Sequence, residues 1–198
     1  MWAPVVRAVV ARAAPSAHAR PVARLGRVTP EGTENIVLIL ARAERDGGLW
    51  VRVRLSILPN NSTGWVPRDA LGGSVPVHTR LIVDRERLVA TLFERGRVIF
   101  RAPVGVGKPS WPTPPGDFYV RNKLTTFQSP MYGPVALGTS ARSPVLTDWP
   151  AGGFVGIHGT DRPDLLPGRV SHGCIRLRNA DVLRLARLMP VGTPITVR

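Results

Sequence analysis

Period-two alternation confined to short runs, each closed off by turn residues, is the feature that most limits what this chain can become. Leu49-Trp50-Val51-Arg52-Val53-Arg54-Leu55 alternates, with Asp46-Gly47-Gly48 before it and Pro59-Asn60-Asn61-Ser62-Thr63-Gly64 after it. Successive strand side chains face opposite sides, so this pattern suits a half-buried strand between tight turns. Ile36 to Ala41 and Gly64-Trp65-Val66-Pro67 read the same way. Thr79 to Asp84, Leu88 to Glu94 and Arg97 to Val104 predict three more strands, the last two joined by a short turn at Arg95-Gly96. Asp117 to Asn122 and Pro194 to Val197 add two. One stretch has helical spacing instead. Val182, Leu185, Ala186 and Met189 share a face, Asn179 suits the N-cap, Asp181 falls in the first turn, and Pro190 and Gly192 stop the run. The expected fold class is mainly β, with a short C-terminal helix.

At 198 residues and 43% hydrophobic content, the chain fits one ordinary domain or two small ones with packed cores. The composition shift at Leu71-Gly72-Gly73-Ser74-Val75-Pro76 marks a linker, separating a small β domain over 31–73 from a larger one over 77–198. Residues 1–30 carry Arg7, Arg12, Arg20, Arg24 and Arg27, no acid before Glu31, and prolines at 15 and 21. They are expected to form a basic, partly disordered leader. Ala17-His18-Ala19 has the form of a cleavage site, but Arg7 and Arg12 interrupt any signal-peptide core. No run of about 18 uncharged apolar residues predicts a transmembrane helix. The formal charge is +14, and all 27 basic residues but Lys108 and Lys123 are arginine. Trp50 and Trp65 have two readings, packing or the binding of peptide or glycan.

Chemistry concentrates at Ser171-His172-Gly173-Cys174-Ile175-Arg176-Leu177, with Ile157-His158-Gly159-Thr160 upstream. Cys174 is the lone cysteine, so no internal disulfide framework exists. It can be a small buried hydrophobe, a zinc ligand with His158, His172 and a distant carboxylate, or a nucleophile activated by a histidine. Glycine at 159 and 173 favours the last, because backbone can approach a substrate there, and the Gly173 and Cys174 amides could face a developing oxyanion. Gly153 to Ile157 should be a strand delivering His158, Arg162 to Val170 a returning loop, and Cys174 to Arg178 a short strand. Residues two apart on a strand share a face, which would set His172 and Arg176 on the thiol's side.

The string from His158-Gly159-Thr160 to Ser171-His172-Gly173-Cys174-Ile175-Arg176 resembles the signature of the L,D-transpeptidase (YkuD-type) catalytic domain. The likeness runs from about Thr79 to Arg198 and includes Gly105-Val106-Gly107 and Thr113-Pro114-Pro115-Gly116-Asp117-Phe118. It implies a β-sandwich catalytic domain with a short C-terminal helix. The Gly64-Trp65-Val66 ending resembles a bacterial SH3-like module, implying a small β-barrel ahead of it. The family's motif makes Cys174 the nucleophile and His158 its base, with His172 the runner-up. With no obvious carboxylate partner, the Gly159 carbonyl would orient the imidazole; many members have serine here, and a backbone carbonyl survives that departure. Ser171 and Arg176 match motif positions, and Arg176 would bind a substrate carboxylate or form an internal ion pair. Members carry a lid near Lys123 to Gly138, where Phe127, Met131 and Tyr132 would contact substrate or pack in the core.

The implied reaction is acyl transfer on peptidoglycan stem peptides, outside the cytoplasm, without metal or other cofactor, and with carbapenems as inhibitors. Water in place of an amine acceptor would make the same site a carboxypeptidase or endopeptidase. A non-catalytic basic module that binds wall polymers or nucleic acid is the other class. Against nucleic acid, the arginines after residue 30 are scattered among strands and interleaved with the 13 acids.

Overall fold

A computed structural model of the chain describes residues 1–125, 129–146 and 153–198. The chain divides into two units, Met1–Val77 and His78–Arg198.

The first unit is a six-stranded antiparallel sheet. Its strands are β1 (Trp2–Pro4), β2 (Val9–Arg12), β3 (Pro21–Leu25), β4 (Ile36–Arg45), β5 (Gly48–Arg54) and β6 (Thr63–Pro67), in the order β1-β4-β5-β6-β2-β3. Alternation in β5 is realised as burial of Trp50, Val51 and Val53, and Asp46-Gly47 makes the β4–β5 turn with both residues at positive φ. Trp50 packs inside, at 7% exposure. Residues 1–30, expected as a partly disordered leader, instead supply three strands. β1 pairs with β4 and β2 with β6, burying Ala3, Val5 and Ala11 in the unit's core. Strands of three to five residues show too little periodicity to be read locally, and β1 and β2 pair with β4 and β6, tens of residues away, to satisfy backbone groups.

The second unit is one ten-stranded order, β14-β10-β15-β13-β12-β11-β16-β7-β8-β9. The strands are β7 (Thr79–Asp84), β8 (Val89–Glu94), β9 (Arg97–Pro103), β10 (Gly105–Gly107), β11 (Gly116–Leu124), β12 (Ala136–Arg142), β13 (Phe154–His158), β14 (Gly168–Ser171), β15 (Ile175–Arg176) and β16 (Pro194–Val197). Leu81, Leu92 and Phe100 from one end of that order share a single core with Val155, Ile157 and Ile175 from near the other. The sheet therefore curls back on itself, which buries both sets as a sandwich does. Helix α1 (Asn179–Leu188) closes the core with Val182 and Leu185, and Met189 follows at its C-terminal end. The mainly β class with one short C-terminal helix is what the chain adopts.

Two expectations need correcting. The N-cap of α1 is Arg178, without a side-chain cap, and Asn179 begins the helix with its oxygen bonded elsewhere. The lid region is also narrower than Lys123 to Gly138. β11 continues to Leu124 and β12 starts at Ala136, leaving a 3-10 turn at Pro130–Tyr132 between them. Apart from Thr139, β12 lacks the β-branched and aromatic residues that mark strands. Phe127 lies outside the described residues.

Candidate active site

β13 and β15 lie side by side and parallel, with Ile157 opposite Ile175 and His158 opposite Arg176. Extending that register by one residue sets Cys174 beside Gly156, and the Gly156 N–H points at Cys174 Sγ from 3.4 Å. His158 and Gly156 are two apart on β13, so the imidazole stands on the same side of the strand. Its Cδ2 comes within 4.0 Å of where a Gly156 Cβ would sit. Two neighbouring strand ends thus bring thiol, imidazole and guanidinium to one place from positions 16 to 18 residues apart in sequence.

The imidazole has a fixed orientation. His158 Nδ1 lies 2.7 Å from Gly159 O, and because a carbonyl only accepts, Nδ1 carries the hydrogen and Nε2 is left to take a proton. Burial pulls the His158 pKa down to about 4; the Arg176 charge adds to this and the Gly159 bond opposes it. Burial pushes the Cys174 thiol up, while the Gly156 N–H and Arg176 pull it down. Burial thus favours the uncharged form of each group.

The turn before the thiol is braced from inside. Ser171 is fully buried; its Oγ donates to Cys174 O at 2.5 Å and accepts the Gly173 N–H at 3.1 Å. Two expectations change here. Ser171 shapes the loop rather than facing a substrate, and the Gly173 amide, expected to face an oxyanion, is engaged by the Ser171 hydroxyl instead. Gly173 has φ 113°, a conformation that favours glycine. Its carbonyl accepts from Thr113 Oγ1 at 2.8 Å, and Thr113 Oγ1 accepts the Gly107 N–H at 2.9 Å. That brace escaped sequence reading because its members lie about 60 residues apart.

His172 is exposed, outside β15, and its ring packs against Trp111 with centroids 4.4 Å apart. The shared-face argument fails for it, since the strand starts only at Ile175, yet His172 does line the pocket. Tyr132, on the 3-10 turn, sets its ring 4.7 Å from that of His158. The pocket holds about 350 Å³ and is lined by Cys174, His158, His172, Arg176, Tyr132 and Met131, with Phe154, Leu146 and Leu165 as apolar wall. The Arg176 Nε is buried without a hydrogen-bond partner, and among the described residues no ion pair engages the side chain. The internal-ion-pair reading for Arg176 thus finds no partner there. Among the described residues, no three His, Cys, Asp or Glu side chains converge as a metal site would require.

A family model described as the L,D-transpeptidase catalytic domain, YkuD, matches residues 78–197, which span the second unit and every one of these groups. The chain belongs to the YkuD family. The putative L,D-transpeptidase YkuD of Bacillus subtilis (strain 168) is 33% identical over 124 residues, covering 63% of this chain and 67% of that protein. For its Bacillus licheniformis counterpart the identity is 34%, over 60% and 64% of the two chains. The chain thus spans about two thirds of the length of these relatives. An L,D-transpeptidase of Mycobacterium tuberculosis H37Rv shares the fold, with a TM-score of 0.51 at 17% identity over 82% of this chain and 92% of that one. Within the YkuD domain, the motif positions Cys174, His158 and Arg176 are those that the strand pairing brings together. Among the described residues, no helix is long and apolar enough to cross a membrane.

Proposed function

We propose that the chain is a peptidoglycan L,D-transpeptidase acting outside the cytoplasm. What carries the reading is the pairing of β13 with β15, which sets the oriented base His158 and the thiol of Cys174 on adjacent strand ends in one pocket. His158 Nε2 takes the thiol proton as Sγ attacks the carbonyl of the L-centre at the third stem residue, and the Cys174 amide faces the oxyanion. The tetrahedral intermediate collapses to a thioester, and the imidazolium returns the proton to the departing D-alanine amine. An amine from a neighbouring stem then attacks the thioester, loses its proton to His158, and leaves an L,D cross-link with the thiol restored. Arg176, a cation with a buried and unmatched Nε, suits a stem carboxylate. Tyr132 and His172 flank the opening as substrate contacts. The single thiol also makes the protein a target for carbapenem acylation.

Incubating the protein with a tetrapeptide stem donor and resolving the products by mass tests this. Cross-linked dimer from wild type and none from Cys174→Ala is the expected result. Tripeptide without dimer would assign hydrolysis in place of transfer, and turnover by Cys174→Ala would remove the thiol from the mechanism.

A further inference from the structure

The peptide unit between Gly159 and Thr160 is bonded on both sides. Its carbonyl accepts from His158 Nδ1 at 2.7 Å, and its N–H donates to Asn179 Oδ1 at 2.9 Å. A peptide is planar, so holding its N–H also aims its carbonyl. Hydrogen bonds in such a chain polarise one another, so an acceptor on the N–H strengthens the carbonyl as an acceptor in turn.

The packing leaves room for this oxygen and little else. A Cβ at Gly159 would overlap Asn179 Oδ1 and come within 3.1 Å of Gly133 Cα. A Cβ at Gly133 would overlap the same oxygen and fall 2.8 Å from Gly159 Cα. Gly159 does not have a left-handed φ, so packing alone excludes a side chain there. Gly133 directly follows Tyr132, whose ring lies over His158. Asn179 does not serve as the N-cap of α1, and the helix is anchored by the fully buried Val182 and Leu185.

We propose that Asn179 is a positioning residue for the base, acting through the Gly159–Thr160 peptide to orient His158 and, through the Gly133–Gly159 contact, to seat Tyr132 over it. This rests on the assignment of His158 as base. Sequence places Asn179 outside the motif, five residues beyond the thiol, where it suited the N-cap of the helix instead. Among the described residues, the charged and titratable groups that line the pocket with His158 are His172, Cys174 and Arg176 from the returning turn and β15, Tyr132 from the 3-10 turn, and Asp161 and Arg162 from the following loop. None of them contacts the Thr160 N–H.

The test measures the rate of covalent adduct formation with meropenem, by intact mass, as a function of pH, in the full chain and in Asn179→Ala, Asn179→Asp, Gly159→Ala and His158→Ala. Asn179→Ala should form adduct about tenfold more slowly at neutral pH, with its acid limb displaced upward as the imidazole loosens. Asn179→Asp keeps an acceptor for Thr160 N–H and should return to within about threefold of wild type. Gly159→Ala, which displaces the same oxygen, should be slow in the wild-type background and cost much less on top of Asn179→Ala. A wild-type rate and pH profile in a folded Asn179→Ala would overturn the proposal. So would an Asn179→Asp variant as slow as Asn179→Ala. His158→Ala forming adduct at the wild-type rate would instead sink the base assignment, and the positioning role with it.

Discussion

At His158 three demands meet in one side chain. As the proposed base it must be neutral to accept a proton, oriented to accept it from the right direction, and shielded enough that Nε2 is not occupied by bulk water. Burial answers the first and third, and the Gly159 carbonyl answers the second. The arrangement has a consequence for stability. Unfolded, the imidazole titrates near 6.5, whereas in the fold its pKa lies at about 4. Between those values the unfolded chain binds the proton and the native one does not. Stability from this group is therefore full above about pH 6.5 and is lost as pH falls toward 4, amounting to on the order of 3 kcal/mol. Denaturant unfolding of the second unit at pH 7 and pH 4.5 should show that loss in wild type and a smaller one in His158→Gln. Equal losses in the two proteins would mean that other groups govern acid sensitivity. Much of this residue's chemistry was legible from the motif, since a backbone carbonyl after the histidine is available whatever side chain follows. Its depth was not, because burial is set by Tyr132 and β12 rather than by neighbours in sequence.

Among the elements, β13 and β15 are short, five residues and two, yet they define the site because parallel pairing fixes which side chains stand abreast. β10 does the same work on the far side of β15. Its Gly107 leaves no room for a side chain, since a Cβ would overlap the Trp111 carbonyl and fall 2.5 Å from Thr113 N. That close approach lets Thr113 bridge Gly107 and Gly173 with one hydroxyl. Thr113→Val keeps the shape and removes both bonds in a buried place, leaving a donor and an acceptor unmatched. A loss of about 2–4 kcal/mol in unfolding free energy is expected, together with slower meropenem acylation, because the Gly173 turn that carries Cys174 loses its brace. An unchanged acylation rate would show that the brace serves stability alone. The long strands and the helix face were readable from periodicity. β10 and β14 were not, being three and four residues long and paired with each other, whereas β15 falls within the short strand expected from Cys174 to Arg178.

Over the whole molecule, two units with separate cores stand in one chain. The first depends on its N-terminal residues, whose strands supply Ala3, Val5 and Ala11 to the core. Deleting residues 1–26 would uncover the edges of β4 and β6 and open that core, so the truncated protein should lose the first unit's cooperative unfolding and expose apolar surface to a reporter dye. Retention of that transition would mean that 31–73 folds by itself, as the SH3-like resemblance implies. By itself the sequence determined the β class, the place of α1, and the family motif that runs through His158 and Cys174. Those depend on local alternation, on turn residues and on a motif, all of which lie within a few neighbouring positions. Only the tertiary structure decided that residues 1–30 supply three strands, that Ser171 and the Gly173 amide are turned inward, that Arg176 lacks a counter-ion among the described residues, and that Asn179 bonds the Thr160 N–H. Each of these follows from partners brought together across tens of residues by strand pairing, where no local pattern records the contact.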